Sequence, residues 1–265
     1  MRDGERHRHP GPFQADQIRS GDPYELSQGH PIYCLPTGTD GTGPNGLGFA
    51  VLDSDPAVVS AGVDTGIQLT NNTLRAPDVA VNFRKGAGTW AESAPLALEY
   101  AGRGQDEADL KLKIRELLAA GTRWVWVVRL VGPRRVEVHS ADAAMRLVGA
   151  DESLEAPGVL ALPVPVRALF DRDAAHEVTL RNLLASKGYA DLEALRQEGR
   201  GEGLKEGLAP LLRLFQRRLG RALSESERAA VALHLDRVGP DRLGDVVLDL
   251  APAELAAWVA DSDAR

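Results

Sequence analysis

"PLALEYAGRGQDEADLKLKIRELLAAGTRWVWVV", residues 95–128, is the stretch on which the fold turns. Its opening, PLALEYA (95–101), is an apolar run bounded by breakers and reads as a buried strand. DEADLKLKIRELLAAG (106–121) then sets Leu110, Ile114, Leu117 and Leu118 at i, i+4, i+7 and i+8, one face of a helix, and Gly121 suits its end. RWVWVVRLV (123–131) returns to strand character. A GP turn separates it from RRVEVHS (134–140), so the two read as a hairpin. Strand, helix and further strands around one sheet describe an α/β (α+β) domain. One residue in it is out of place: Glu99 sets a carboxylate inside the first apolar run, where its charge is costly unless a cation or several donors face it.

Working outward, GIQL (66–69) and LRAPDVAV (74–81) have strand character, and YELSQGHPIYCL (24–35) reads as strand or hairpin. PTGTDGTGPNGLG (36–48) reads as a Gly-rich loop, and residues 1–20 as a flexible tail. The mixed domain is expected over 21–170. A helical connector with a flexible GRGEG segment should follow over 171–207, and a small helical region over 208–265. In that last part Ser224 and Glu227 make a capping box, and Pro252 suits the first turn of a final helix.

With 43% hydrophobic and 26% charged residues the 265-residue chain reads as soluble and globular. No apolar run approaches the roughly 18 residues of a membrane span. MRDGERHRHPGPF lacks a signal peptide's apolar centre, so a cytoplasmic protein without membrane partners is expected. One cysteine, Cys34, excludes an internal disulfide and a thiolate-rich zinc site. A net charge of −7 gives no general affinity for nucleic acid; a local basic surface or bound metal ions would have to supply it.

The polar residues that carry chemistry are Asp78, in APDVAV, Glu99 in the next apolar strand, and Lys113 on the helix, with Asp109 one turn before it. Adjacent strands can bring Asp78 and Glu99 together at the sheet's end. Two close carboxylates repel unless a divalent cation lies between them, and oxygen-only ligation suits Mg²⁺ or Mn²⁺. A nearby lysine can orient or deprotonate an attacking water.

From about Gly62 to Val138 the chain resembles the Uma-type restriction endonucleases, a branch of the PD-(D/E)XK nuclease superfamily. The matching stretches are DTGIQLTNNTLRAPDVAV, the 95–128 segment and RRVEV, with YELSQG as a weaker match to the family's N-terminal strand. Several intervals agree together: ten residues from Glu99 to Asp109, four from Asp109 to Lys113, eight from Lys113 to Gly121 and thirteen from Lys113 to Trp126. The resemblance implies a restriction-endonuclease-like mixed sheet flanked by helices. It further implies Mg²⁺- or Mn²⁺-dependent hydrolysis of DNA phosphodiesters, with Asp78 and Glu99 as metal ligands and Lys113 as the catalytic lysine. The superfamily's usual lysine position is Ala101 here, so the helix supplies it. Lys111 is a rival that periodicity does not eliminate, whereas the family register favours Lys113. Asp109 is expected as a partner of that lysine, and Glu25 as a further acidic group near the site. A homodimer is expected if both DNA strands are cut.

The chain departs from the family pattern at Gly102, Leu117 and Arg129, where serine, tyrosine and aspartate are common. These departures and the acidic charge motivate an alternative: a catalytically degenerate nuclease-fold module for binding or assembly. Other motifs yield less. GTGPNG (41–46) matches a dinucleotide fingerprint only in letters, since Pro44 interrupts it. His176-Glu177 lacks the second histidine of a zincin. Arg213, Arg217, Arg218 and Arg221 share a helical face that reads as solvated or acid-paired ahead of phosphate contacts.

Overall fold

A computed structural model of the chain describes residues 11–34 and 38–261. The strands run in chain order as β1 (Tyr24–Ser27), β2 (His30–Tyr33), β3 (Ala61–Val63), β4 (Ile67–Thr70) and β5 (Thr73–Arg75). Next come β6 (Val79–Val81), β7 (Arg84–Lys85), β8 (Ala91–Ser93), β9 (Leu96–Ala101) and β10 (Trp124–Arg129). The last are β11 (Arg135–His139), β12 (Arg146–Gly149), β13 (Ser153–Leu154) and β14 (Val164–Pro165). The helices are α1 (Thr39–Asp53), α2 (Glu107–Ala119), α3 (Arg172–Ser186), α4 (Leu192–Leu219), α5 (Glu225–Asp249) and α6 (Pro252–Ala260). None of them is long and apolar enough to cross a membrane.

The fold is mixed α/β, as the sequence predicts. One six-stranded sheet has the order β12-β11-β10-β9-β6-β3, and the other β2-β1-β5-β4-β8-β7. In the first, β9 and β10 are parallel, joined by α2, and the remaining pairs are antiparallel. Asp106 caps α2 by accepting from the N–H groups of Ala108 and Asp109. The helix buries Leu110, Lys113, Ile114 and Leu117. Alternation along β9 sorts its side chains: Leu96 and Leu98 enter the larger core with Val51, Leu52 and Val178, whereas Ala97 and Ala101 face Leu110, Ile114 and Leu117 of α2. Glu99 therefore lies on the α2 side.

Several expectations need correction. The stretch expected as a loop over 36–48 enters α1 at Thr39, despite its glycines and Pro44. Packing overrides propensity here, because Val51 and Leu52 are fully buried and Leu47 and Phe49 pack against the same core. Gly48 is required: a Cβ there would lie 2.1 Å from the Tyr100 hydroxyl and 2.8 Å from Leu98. Of the expected tail, residues 1–10 lie outside the described residues, but 11–20 are tied down. Ala15 is fully buried with Leu26 and Leu74, and its carbonyl accepts from the Trp90 indole.

The chain divides after Gly188 rather than at 170. In the first unit, α3 buries Ala175 and Val178, and its fully buried Asn182 donates to Val51 O and Ser54 Oγ. In the second unit, α4 runs unbroken through the GRGEG segment, and α5 is interrupted at Gly239 (φ +82°), just before Pro240. Leu211, Phe215, Val231, Leu243 and Leu255 belong to that unit's own core. The capping box is present: Glu227 N–H donates to Ser224 Oγ, and Ser224 N–H to Glu227 Oε2. Arg218 donates to the carbonyls of Val247, Leu248 and Leu250, and Arg221 pairs with Glu227, so both arginines have structural partners.

Candidate functional site

The site forms where the chain passes from one sheet to the other. β5 ends at Arg75, the link Ala76-Pro77 follows, and Asp78 precedes β6. β6 runs antiparallel to β9 with Val79 opposite Leu98, which sets Asp78 opposite Glu99. The backbone N–H of Tyr100 donates to Asp78 Oδ2 at 2.6 Å, and the Asn45 amide from α1 lies 3.4 Å from Asp78 Oδ1. On the other sheet, Leu26 pairs with Leu74, which sets Glu25 opposite Arg75.

Lys113 reaches into this junction from the buried face of α2. Its Nζ lies 2.8 Å from Glu99 Oε1 and 2.9 Å from Glu25 Oε1, and donates to Ala76 O at 2.7 Å. Asp78, Glu99, Lys113 and Glu25 all stand at this junction. Lys111 is exposed on the other side of α2, which leaves Lys113 as the lysine of the junction. Asp109 has turned elsewhere. Its Oδ1 lies 3.5 Å from Arg75 Nη2, and no ion pair joins it to Lys113. An i, i+4 spacing permits such a pair but does not compel it, and here the guanidinium competes for the carboxylate.

Sequence reasoning missed Arg75, although the signal is of the same kind as that of Glu99: a charge inside LRAPDVAV, an apolar strand. Arg75 is fully buried and makes ion pairs with Glu25 (2.9 Å), Glu116 (2.5 Å) and Asp109. The Ser27 hydroxyl donates to the second oxygen of Glu116. Asp64 was missed as well. It adopts a left-handed backbone (φ +48°), donates its N–H to Asp78 O at 3.3 Å, and its charge is felt by both Asp78 and Lys113.

Burial dominates the electrostatics. It pushes the Glu99 carboxyl up to about 8, with Lys113 opposing and Asp78 and Glu25 assisting. It also raises Asp78, against the pull of Lys113 and the Tyr100 N–H. Burial would raise Glu25 too, but Lys113 and Arg75 outweigh it and hold that carboxyl below the ordinary value. Burial works against the Lys113 ammonium, yet Glu25, Glu99 and Asp78 more than offset it, so the lysine keeps its proton firmly.

These groups offer oxygen donors only, the chemistry that suits a hard divalent cation. Glu99 Oε1 is buried and unmatched by a hydrogen-bond donor, with the Lys113 ammonium 2.8 Å away as an ion pair. No group of three or more His, Cys, Asp or Glu side chains suited to a metal occurs among the described residues. Water and substrate oxygens would therefore have to complete a cation's shell, which is common for Mg²⁺.

Beyond Ala101 on the same sheet face, a cleft of about 330 Å³ is lined by Gly102, Glu107, Arg129, Arg135 and Glu137. Arg129 bridges Glu107 at the start of α2 (2.5 Å) and Glu137 on β11 (2.8 Å). It acts as a clamp between helix and sheet.

This mixed fold gathers acidic and basic residues at the junction of two sheets. The chain is similar to a crystal structure described as "a putative nuclease belonging to DUF820" from Anabaena variabilis. The TM-score is 0.51 at 17% identity, over 62% of this chain and 99% of that one. At that identity the likeness establishes the fold alone. No family model matches the sequence, and no curated protein does.

Proposed function

We propose that the chain is a metal-dependent endonuclease of the PD-(D/E)XK type that hydrolyses DNA phosphodiester bonds, akin to the Uma-type restriction endonucleases. The observation that carries this reading is the placement of Asp78 opposite Glu99, with Lys113 Nζ 2.8 Å from the glutamate. Asp78 and Glu99 would hold Mg²⁺ or Mn²⁺. When bound, the ion would stabilise charge developing on the phosphate and lower the pKa of a bound water. Lys113, fixed by Ala76 O and firmly protonated, acts as a donor that orients the water and not as its base. The neighbouring cleft sets Arg129 and Arg135 beside Glu107 and Glu137, so its charged lining is balanced. Cutting both strands in one encounter would use two such sites, as a homodimer on DNA supplies.

A second reading, a nuclease-fold binding module without activity, is favoured by one observation: Lys113 already occupies Glu99, the proposed ligand. Cleavage of supercoiled plasmid, linear duplex and RNA in Mg²⁺ and in Mn²⁺ separates the two. The nuclease reading expects nicked and linear DNA from the wild type and a loss of about 100-fold or more in Asp78→Ala and Glu99→Ala. Absence of cleavage of every substrate in both metals overturns it in favour of the module.

A further inference from the structure

The two carboxylates that share Lys113 are held very differently. Glu25 is anchored through both oxygens: Oε2 pairs with Arg75 at 2.9 Å, and Oε1 accepts from the Ala76 N–H at 3.2 Å. Its anchor is fixed in turn, because the fully buried Arg75 is also held by Glu116, and Glu116 by the Ser27 hydroxyl. Glu99 has no comparable support. Its buried Oε1 receives no hydrogen bond and has the Lys113 ammonium 2.8 Å away. The ammonium itself has Glu25 Oε1, Glu99 Oε1 and Ala76 O within 2.9 Å.

We infer that Lys113 is a built-in cation that neutralises Glu99 until a divalent ion arrives, and that Glu25, fixed by Arg75, is the positioning residue that retains Lys113 when Glu99 turns to the ion. The inference rests on the reading of Asp78 and Glu99 as cation ligands. Lys113 keeps its proton throughout, and only its ion-pair partner changes. Two buried carboxylates beside a single ammonium repel one another, so release of Glu99 to a divalent ion leaves a neutral Lys113–Glu25 pair. Without the charge of Glu25, Lys113 would bind Glu99 alone, and an incoming ion would have to break that pair.

The test is a double-mutant cycle on the full chain above pH 8, where Glu99 is ionised, with Mn²⁺ affinity read by calorimetry in the wild type, Lys113→Met, Glu25→Gln and the double variant. Coupling between contacting charged groups is commonly worth about a tenfold change in affinity. Lys113→Met is expected to bind Mn²⁺ about tenfold more tightly, and Glu25→Gln about tenfold more weakly, by the same magnitude of coupling. Once Lys113 is gone, Glu25→Gln is expected to have little further effect. An equal weakening by Glu25→Gln with and without Lys113 overturns the inference and leaves the cation site standing. Absence of Mn²⁺ binding by the wild type overturns both. If Lys113→Met does not fold, the side-chain ¹⁵N resonance of Lys113 is followed during Mg²⁺ titration of the wild type and Glu25→Gln. The signal is expected to move but persist in the wild type and to be lost to exchange in Glu25→Gln. The same response in both proteins, or none at saturating Mg²⁺, overturns the inference.

Discussion

At the scale of single residues, the site is governed by what burial does to charge. Glu99 is the clearest case, since its carboxyl sits at about 8 in the folded protein against an ordinary value of 4.5. The unfolded chain therefore releases this proton first as pH rises. The contribution of Glu99 lowers stability progressively from about pH 4.5 to about 8 and is constant above. Denaturant melts across that range are expected to show the decline in the wild type and a shallower one in Glu99→Gln. A cation must displace the same proton. Apparent Mn²⁺ affinity is thus expected to rise by about tenfold per pH unit up to about 8 and then level off, as calorimetry at several pH values would record. Arg75 acts in the opposite sense. Replacing it with leucine leaves Glu25 and Glu116 without their buried cation, at an expected cost of about 3–5 kcal/mol in chemical denaturation.

At the scale of elements, the difference between what was legible in the sequence and what was not follows from the range of the forces involved. β9, α2, β10 and β11 could be read directly because burial recurs along each with a local period, which amino-acid spacing records. The same spacing put Lys113 on the helix without separating it from Lys111. α1 was hidden because five glycines from Gly38 to Gly48 and Pro44 oppose a helix locally, and only packing against β9 and the core decides the matter. Gly48→Ala tests that account: its Cβ would run into Tyr100 and Leu98, and overpacking is expected to cost about 1–3 kcal/mol by thermal melt. Arg75 was hidden for another reason. Its partners lie 50, 41 and 34 residues away in sequence, and no local pattern announces such a convergence.

At the scale of the whole molecule, the chain consists of two units with separate cores, and every group of the proposed site belongs to the first. The sequence indicated a helical C-terminal region but placed the boundary too early. The polar surface of α3 obscures the few residues, Ala175, Val178 and Asn182, that it buries. The placement of the site makes ion binding a local matter. Saturating Mg²⁺ is expected to increase amide protection in β6, β9 and α2, by mass-detected hydrogen exchange, and to leave α4 to α6 unchanged.

The central claim is that Asp78 and Glu99 share a divalent cation, and crystals soaked in Mn²⁺ address it most directly. The account predicts an anomalous peak bonded to oxygens of both carboxylates, with the Lys113 ammonium withdrawn to Glu25 and Ala76 O. Crystals soaked at saturating Mn²⁺ with no peak there, and with Lys113 still 2.8 Å from Glu99, would contradict it.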